Sequence, residues 1–164
     1  MSRRSGRARG MLVAGMMSAG VLTGVALLGT GISSAAPAKA VAARTITLNE
    51  SGQLHRTGHS GLKLNEQGSA SGTIKGTIYI HLDVVSPNRV TAEVSIYPNG
   101  GSLTGSGSAA YRVNGGSASF NGTLSINRGT GSYAGAHGSG LSFSGTIQRL
   151  SGAVTVHLSG NMST

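Results

Sequence analysis

The chain has no cysteine and no tryptophan. Lack of cysteine excludes disulfides, thiolate catalysis, cysteine-ligated metals and a lipid-anchored N-terminal cysteine together, so stability has to come from packing and backbone pairing. Acids are nearly as scarce: Glu50, Glu66, Asp83 and Glu93 are the four carboxylates in 164 residues. So few, so scattered, leave little material for paired acid–base catalysis. No G-x-S-x-G elbow supports a serine hydrolase. The aromatics are Tyr79, Tyr97, Tyr111, Tyr133, Phe120 and Phe143, too few for an extended sugar-stacking platform. Helix-forming stretches are missing as well. Glycine and β-branched residues recur too often after residue 40 for a helix of useful length.

What is present begins with a basic start, Arg3, Arg4, Arg7 and Arg9, followed by an uncharged stretch from Met11 to Ile32. Ala36-Pro37-Ala38 and Ala38-Lys39-Ala40 then offer small-x-small cleavage sites, the order found in a secretory signal peptide. Residues 1–40 are therefore expected to be removed after Ala40, leaving one exported domain of residues 41–164. Some twenty apolar residues could also anchor the chain in a bilayer, but this stretch is rich in Gly, Ala, Ser and Thr. No membrane insertion is expected once the signal is cleaved. Ser2-Arg3-Arg4 resembles the start of a twin-arginine signal, whereas Ser5-Gly6-Arg7 lacks the hydrophobic residues that normally follow. Either export route fits.

Removing the leader also changes the charge. The whole chain carries +9; residues 41–164 keep eight basic residues against four acids, a net +4. Arg44, Arg56, Lys63, Lys75, Arg89, Arg112, Arg128 and Arg149 lie singly in the sequence. A nucleic-acid surface needs cations clustered and interleaved with aromatics, so no nucleic-acid partner is expected.

Hydrophobic alternation dominates the mature chain. From Thr73 to Val84, Ile74, Ile78, Ile80, Leu82 and Val84 fall on even numbers, the period-two pattern of a strand with one buried face. Val90, Ala92, Val94 and Ile96 repeat it after the turn Ser86-Pro87-Asn88, predicting an antiparallel hairpin. Two registers keep the buried faces together. One sets Asp83 against Glu93, which like charges disfavour; the other, which we expect, sets His81 against Glu93 and Asp83 against Thr91. Ser106 to Val113 reads as a further strand between turns at Asn99-Gly100-Gly101 and Asn114-Gly115-Gly116. Three more apolar rows follow: Ala118, Phe120, Leu124, Ile126; then Leu141, Phe143, Ile147; then Val154, Val156, Leu158. Gly122 and Gly145 interrupt two of them, as bends in a curved sheet would. With upstream strands at Arg44 to Asn49 and Leu62 to Asn65, the expected fold is all-β: an antiparallel eight-stranded barrel, with a sandwich as the alternative.

The segment Gly129-Thr130-Gly131-Ser132-Tyr133-Ala134-Gly135-Ala136-His137-Gly138 nominally fits a dinucleotide fingerprint, but the strand-like Leu141-Ser142-Phe143 follows where a helix must start. It reads instead as a glycine turn with Tyr133 as an anchor and Ala136 at a close approach. From Ile126 to Gly138 the sequence resembles the G-G-T-G-x-F/Y-x-x-A-x-G segment of the dirigent and allene oxide cyclase barrels and of related secreted bacterial proteins, with Arg128 in place of the usual first glycine. The resemblance implies an eight-stranded barrel with Gly129, Gly131, Tyr133, Ala136 and Gly138 in a structural role. Dirigent proteins guide phenoxy-radical coupling and allene oxide cyclases close an unsaturated fatty-acid epoxide, so the resemblance also raises an isomerase or cyclase acting on a small apolar ligand. No motif here carries over the polar pocket residues of those families.

Tyr111, Arg112, Tyr133 and His137 are the candidate ligand-binding side chains should a pocket exist. No metal or cofactor is expected. His55 and His59 share helical spacing but sit in strand-like sequence, which holds them about 13 Å apart. The expected function is a non-catalytic binding or structural module, secreted, taking a small apolar ligand or a cell-surface component.

Overall fold

The computed structural model describes residues 43–164. The expected signal peptide, residues 1–40, lies outside the described residues. Eight strands follow one another without a helix between them: β1 (Thr45–Ser60), β2 (Lys63–Gly72), β3 (Gly76–Ser86), β4 (Arg89–Pro98), β5 (Gly101–Asn114), β6 (Ser117–Gly131), β7 (Gly138–Gln148) and β8 (Ala153–Ser163). Each pairs antiparallel with its neighbour in sequence, and β1 pairs with β8 from Thr45↔Ser163 to His55↔Ala153, closing a barrel. Closure decides against a sandwich and leaves no open sheet edge.

The apolar rows turn inward as period two requires. Ile78, Ile80 and Leu82 of β3, Val90, Val94 and Ile96 of β4, and Phe120, Leu124 and Ile126 of β6 are buried with Leu141, Phe143 and Ile147 of β7 and Val154, Val156 and Leu158 of β8. Eight strands enclose a space that side chains of this size fill. Phe120 and Phe143 meet with ring centroids 5.0 Å apart. Gly145 lies beside them because no other residue fits: a Cβ there would strike the Phe120 ring and the Thr155 carbonyl. Among the described residues, every strand and the whole core lie between Thr45 and Ser163, so these residues close one barrel around one core.

The β3–β4 hairpin adopts the expected register, His81↔Glu93 and Asp83↔Thr91. Strand limits differ from the sequence reading at several points. Thr73 to Lys75 form a turn and β3 starts at Gly76, although Ile74 is still buried. This turn is fixed by a carboxylate: Glu50 of β1 accepts a hydrogen bond from the Ile74 N–H at 2.6 Å. β1 and β2 run much longer than the short upstream segments implied, to 16 and 10 residues. Their inward rows are built partly of Glu50, Gly52, Glu66 and Gly68, which hydrophobic periodicity does not flag.

Up-and-down winding gives the barrel two different ends. The turns β1–β2, β3–β4, β5–β6 and β7–β8 share the upper end; the start of β1, the end of β8 and the other three turns share the lower. The glycine-rich segment forms the lower β6–β7 turn. There a Cβ on Gly129 would strike the Tyr133 carbonyl, Gly131 takes φ +59°, and Ala136 is buried against the core. Its His137 pairs with Ser163 of β8, which fastens the turn to the end of the chain. The segment thus packs closely on itself and against the end of β8.

Candidate functional site

Alternation of inward and outward residues places two of the four acids inside the barrel. Glu50 is 3% exposed and Glu66 1%. They are not equivalent. Glu50, near the lower end, accepts the Ile74 N–H on one oxygen, while its other oxygen has no donor, and burial pushes its carboxyl up to about 7 from an ordinary 4.5. It works as a turn clamp.

Glu66 has no such employment. Neither of its oxygens meets a hydrogen-bond donor. Burial raises its carboxyl to about 7, and the Arg56 guanidinium pulls in the opposite direction without overcoming it. Arg56 stands directly across from Glu66 in the β1–β2 register. The direct ion pair among the described residues is elsewhere, Lys63 with Asp83 at 3.6 Å, so Arg56 acts on Glu66 from a longer range. Arg56 itself is half-buried, with its Nε also without an acceptor. A buried acid and a half-buried base, both short of partners, stand together in this part of the lumen.

Above them the barrel opens. A cavity of about 510 Å³ at the upper end is lined by Arg56, Leu62, Leu64, Val84, Tyr111, Ile147, Arg149 and Leu150, with Gly61, Gly115 and Gly116 at its rim. Leu64 and Glu66 are successive members of one inward row on β2, so the acid lies one step deeper than the leucine that lines the opening. Arg149 is held over the mouth by its backbone and its side chain: its N–H donates to the Gly116 carbonyl at 2.9 Å and Nη1 to the Gly115 carbonyl at 3.2 Å. Tyr111 is half-buried and packs against the core. The combination is an aliphatic cup with two guanidiniums and a phenol, suited to an apolar body carrying one anionic or hydrogen-bonding group.

A larger concavity, about 810 Å³, runs over the outer wall across β2 to β6. It is lined mainly by Ser, Thr and Asn with His81, Asp83 and Glu93. Several of its polar groups pair with one another: His81 Nδ1 meets Asn65 Oδ1 at 2.7 Å, and Asp83 pairs with Lys63. The mouth holds buried groups with nothing to bind; the wall does not.

The side chains singled out from the sequence do not converge. Tyr111 lines the mouth. Arg112, its neighbour, faces the outer wall beside Ser119 and Asn121. Tyr133 and His137 belong to the lower turn, at the opposite end of the barrel, where His137 Nδ1 lies 2.9 Å from the Gly135 carbonyl oxygen. Adjacent strand residues point to opposite faces, so Tyr111 and Arg112 could not share one site. Arg56, Glu66 and Arg149 were missed. The two on strands were signalled by their even-numbered places in the rows Leu54-Arg56 and Leu64-Glu66. Comparison with known protein families, with curated proteins and with solved structures finds no match.

Proposed function

We propose that the mature chain is an exported binding module whose site is the upper mouth of the barrel, and whose ligand is a small apolar molecule bearing one anionic group. The observation that carries this reading is the placement of Arg56 beneath an aliphatic cup, with its Nε lacking an acceptor. Glu66 keeps its proton up to about pH 7, so below that pH it does not cancel the Arg56 charge from underneath. The rest of the lumen is occupied by Ile80, Phe120, Phe143 and their neighbours, which keeps the ligand at the mouth. The leader of residues 1–40 supports action outside the cytoplasm.

Titration calorimetry with dodecanoate and dodecanol tests the reading. Dodecanoate should bind more tightly, and Arg56→Gln or Arg149→Gln should weaken it by about ten-fold while leaving the alcohol unaffected, about 1.4 kcal/mol for a lost charge-assisted contact. Equal binding of acid and alcohol, or none of either, would refute it.

A second reading rests on the resemblance to dirigent and allene oxide cyclase barrels. Glu66, a buried acid titrating near neutrality one step below the mouth, favours it, because such a group can take up a proton from a bound ligand. Conversion of an unsaturated fatty-acid epoxide to a ring product, lost in Glu66→Gln, would replace simple binding with catalysis. Absence of any product would leave binding as the function.

A further inference from the structure

Among the described residues, the large aliphatic side chains left in water are Leu62, Val85, Val113 and Leu150, exposed by 64%, 53%, 51% and 98%. Each sits at a different hairpin, and all four hairpins are at the upper end: Leu62 in the β1–β2 turn, Val85 at the close of β3, Val113 at the close of β5, Leu150 in the β7–β8 turn. The lower end carries none of them. Tyr97, exposed toward the lower end, packs edge-on against Tyr79; among the large aliphatic residues, which otherwise point inward strand by strand, four exceptions gathered round one opening mark a contact surface.

Cations share that end. Arg44, Lys75 and Arg128 lie toward the lower end, whereas Arg56, Lys63, Arg89, Arg112 and Arg149 lie at or near the upper turns. The residues that stand singly in the sequence are thus brought together by the winding of the strands. Asp83 and Lys63 cancel each other, Glu66 is enclosed and Glu93 stands further down the outer wall, which leaves Arg89, Arg112 and Arg149 as the net positive charge of that end.

We propose that the upper end docks on an anionic lipid bilayer, with the four aliphatic tips seated at the boundary of headgroups and acyl chains and the arginines on the phosphates. The charge selects an anionic surface. The arrangement selects a lipid one. The tips are separated by Gly61, Gly115, Gly116 and polar residues, so they form no continuous patch of the kind that a rigid protein partner needs at an interface core. A fluid interface accepts four separate insertions, each between headgroups, and rewards apolar area together with basic charge. The contact is peripheral and spans nothing. It goes beyond ligand capture in the mouth and does not depend on it, since Val85 and Val113 do not line that cavity.

Sedimentation of the mature chain, residues 41–164, with vesicles of phosphatidylglycerol and phosphatidylcholine tests the proposal, with pure phosphatidylcholine vesicles as the neutral comparison. Anionic vesicles should bind the chain at least about ten-fold more tightly than neutral ones, and high salt should weaken binding. The double variant Val85→Ser/Val113→Ser should lose about ten-fold in vesicle affinity, with an unchanged melting temperature and unchanged dodecanoate binding. Failure to bind anionic vesicles overturns the proposal. So does binding that the double variant leaves intact, which would reduce the contact to charge alone. Vesicle binding without dodecanoate binding would sustain this surface and remove the mouth; the reverse would do the opposite.

Discussion

Replacing Glu66 by glutamine should stabilise the protein at pH 8 and do almost nothing at pH 4.5. The carboxyl rises from 4.5 in the unfolded chain to about 7 in the barrel, mainly through burial. Between those two values the folded chain retains a proton that the unfolded chain has lost, so stability falls as pH climbs from about 4.5 to about 7 and then levels off. At 1.36 kcal/mol for each pKa unit the loss is about 3 kcal/mol. Glutamine resembles the protonated acid in shape and charge, leaves Arg56 in place and never ionises. The variant should therefore gain about 3 kcal/mol at pH 8, roughly 10 °C in melting temperature for a domain of this size. Below pH 4.5 the wild-type acid is protonated in both states and the two proteins should melt together. Thermal and urea melts followed by circular dichroism across this range would measure the effect. A variant that is less stable than wild type at pH 8 would refute the reasoning, because Glu66 would then be an ionised partner of Arg56 and not a neutral buried acid.

Glu50 titrates over the same window, but its removal should act differently: at or below pH 4.5, where ionisation plays no part, Glu50→Ala strips the acceptor from the Ile74 N–H and should cost about 1–3 kcal/mol in urea melts. Gly145→Ala should destabilise by about 3 kcal/mol or prevent folding, since the added methyl meets the Thr155 carbonyl and the Phe120 ring; soluble yield and melting temperature would show it. Phe143→Ala should cost about 3–5 kcal/mol by emptying a fully buried ring from the lumen.

Much of the barrel was legible because hydrophobic periodicity needs no knowledge of neighbours. The row Ile78-Ile80-Leu82 declares its inward face, and the repulsion between Asp83 and Glu93 settles the register of its hairpin. The site was less legible for a physical reason. Glu50 and Glu66 were counted as scattered acids, yet Leu48-Glu50-Gly52-Leu54 and Leu64-Glu66-Gly68-Ala70 place them inward by the same alternation that located the core. Parity would have found them had polar residues been allowed at inward positions. Tyr111 and Arg112 were paired by sequence, and strand geometry separates them. The gathering of Arg89, Arg112 and Arg149 at one end, and of Leu62, Val85, Val113 and Leu150 with them, follows from up-and-down winding, which the composition of no single strand contains.

Entry of ligand at the upper mouth can be followed through the backbone and side-chain NMR signals of residues 41–164 during titration with dodecanoate. The largest shifts should fall on Arg56, Leu64, Val84, Tyr111, Ile147 and Arg149, with Tyr133 and His137 at the lower turn unmoved. Shifts centred instead on His81, Glu93 and Ser106 of the outer wall, or on the lower turn, would contradict it.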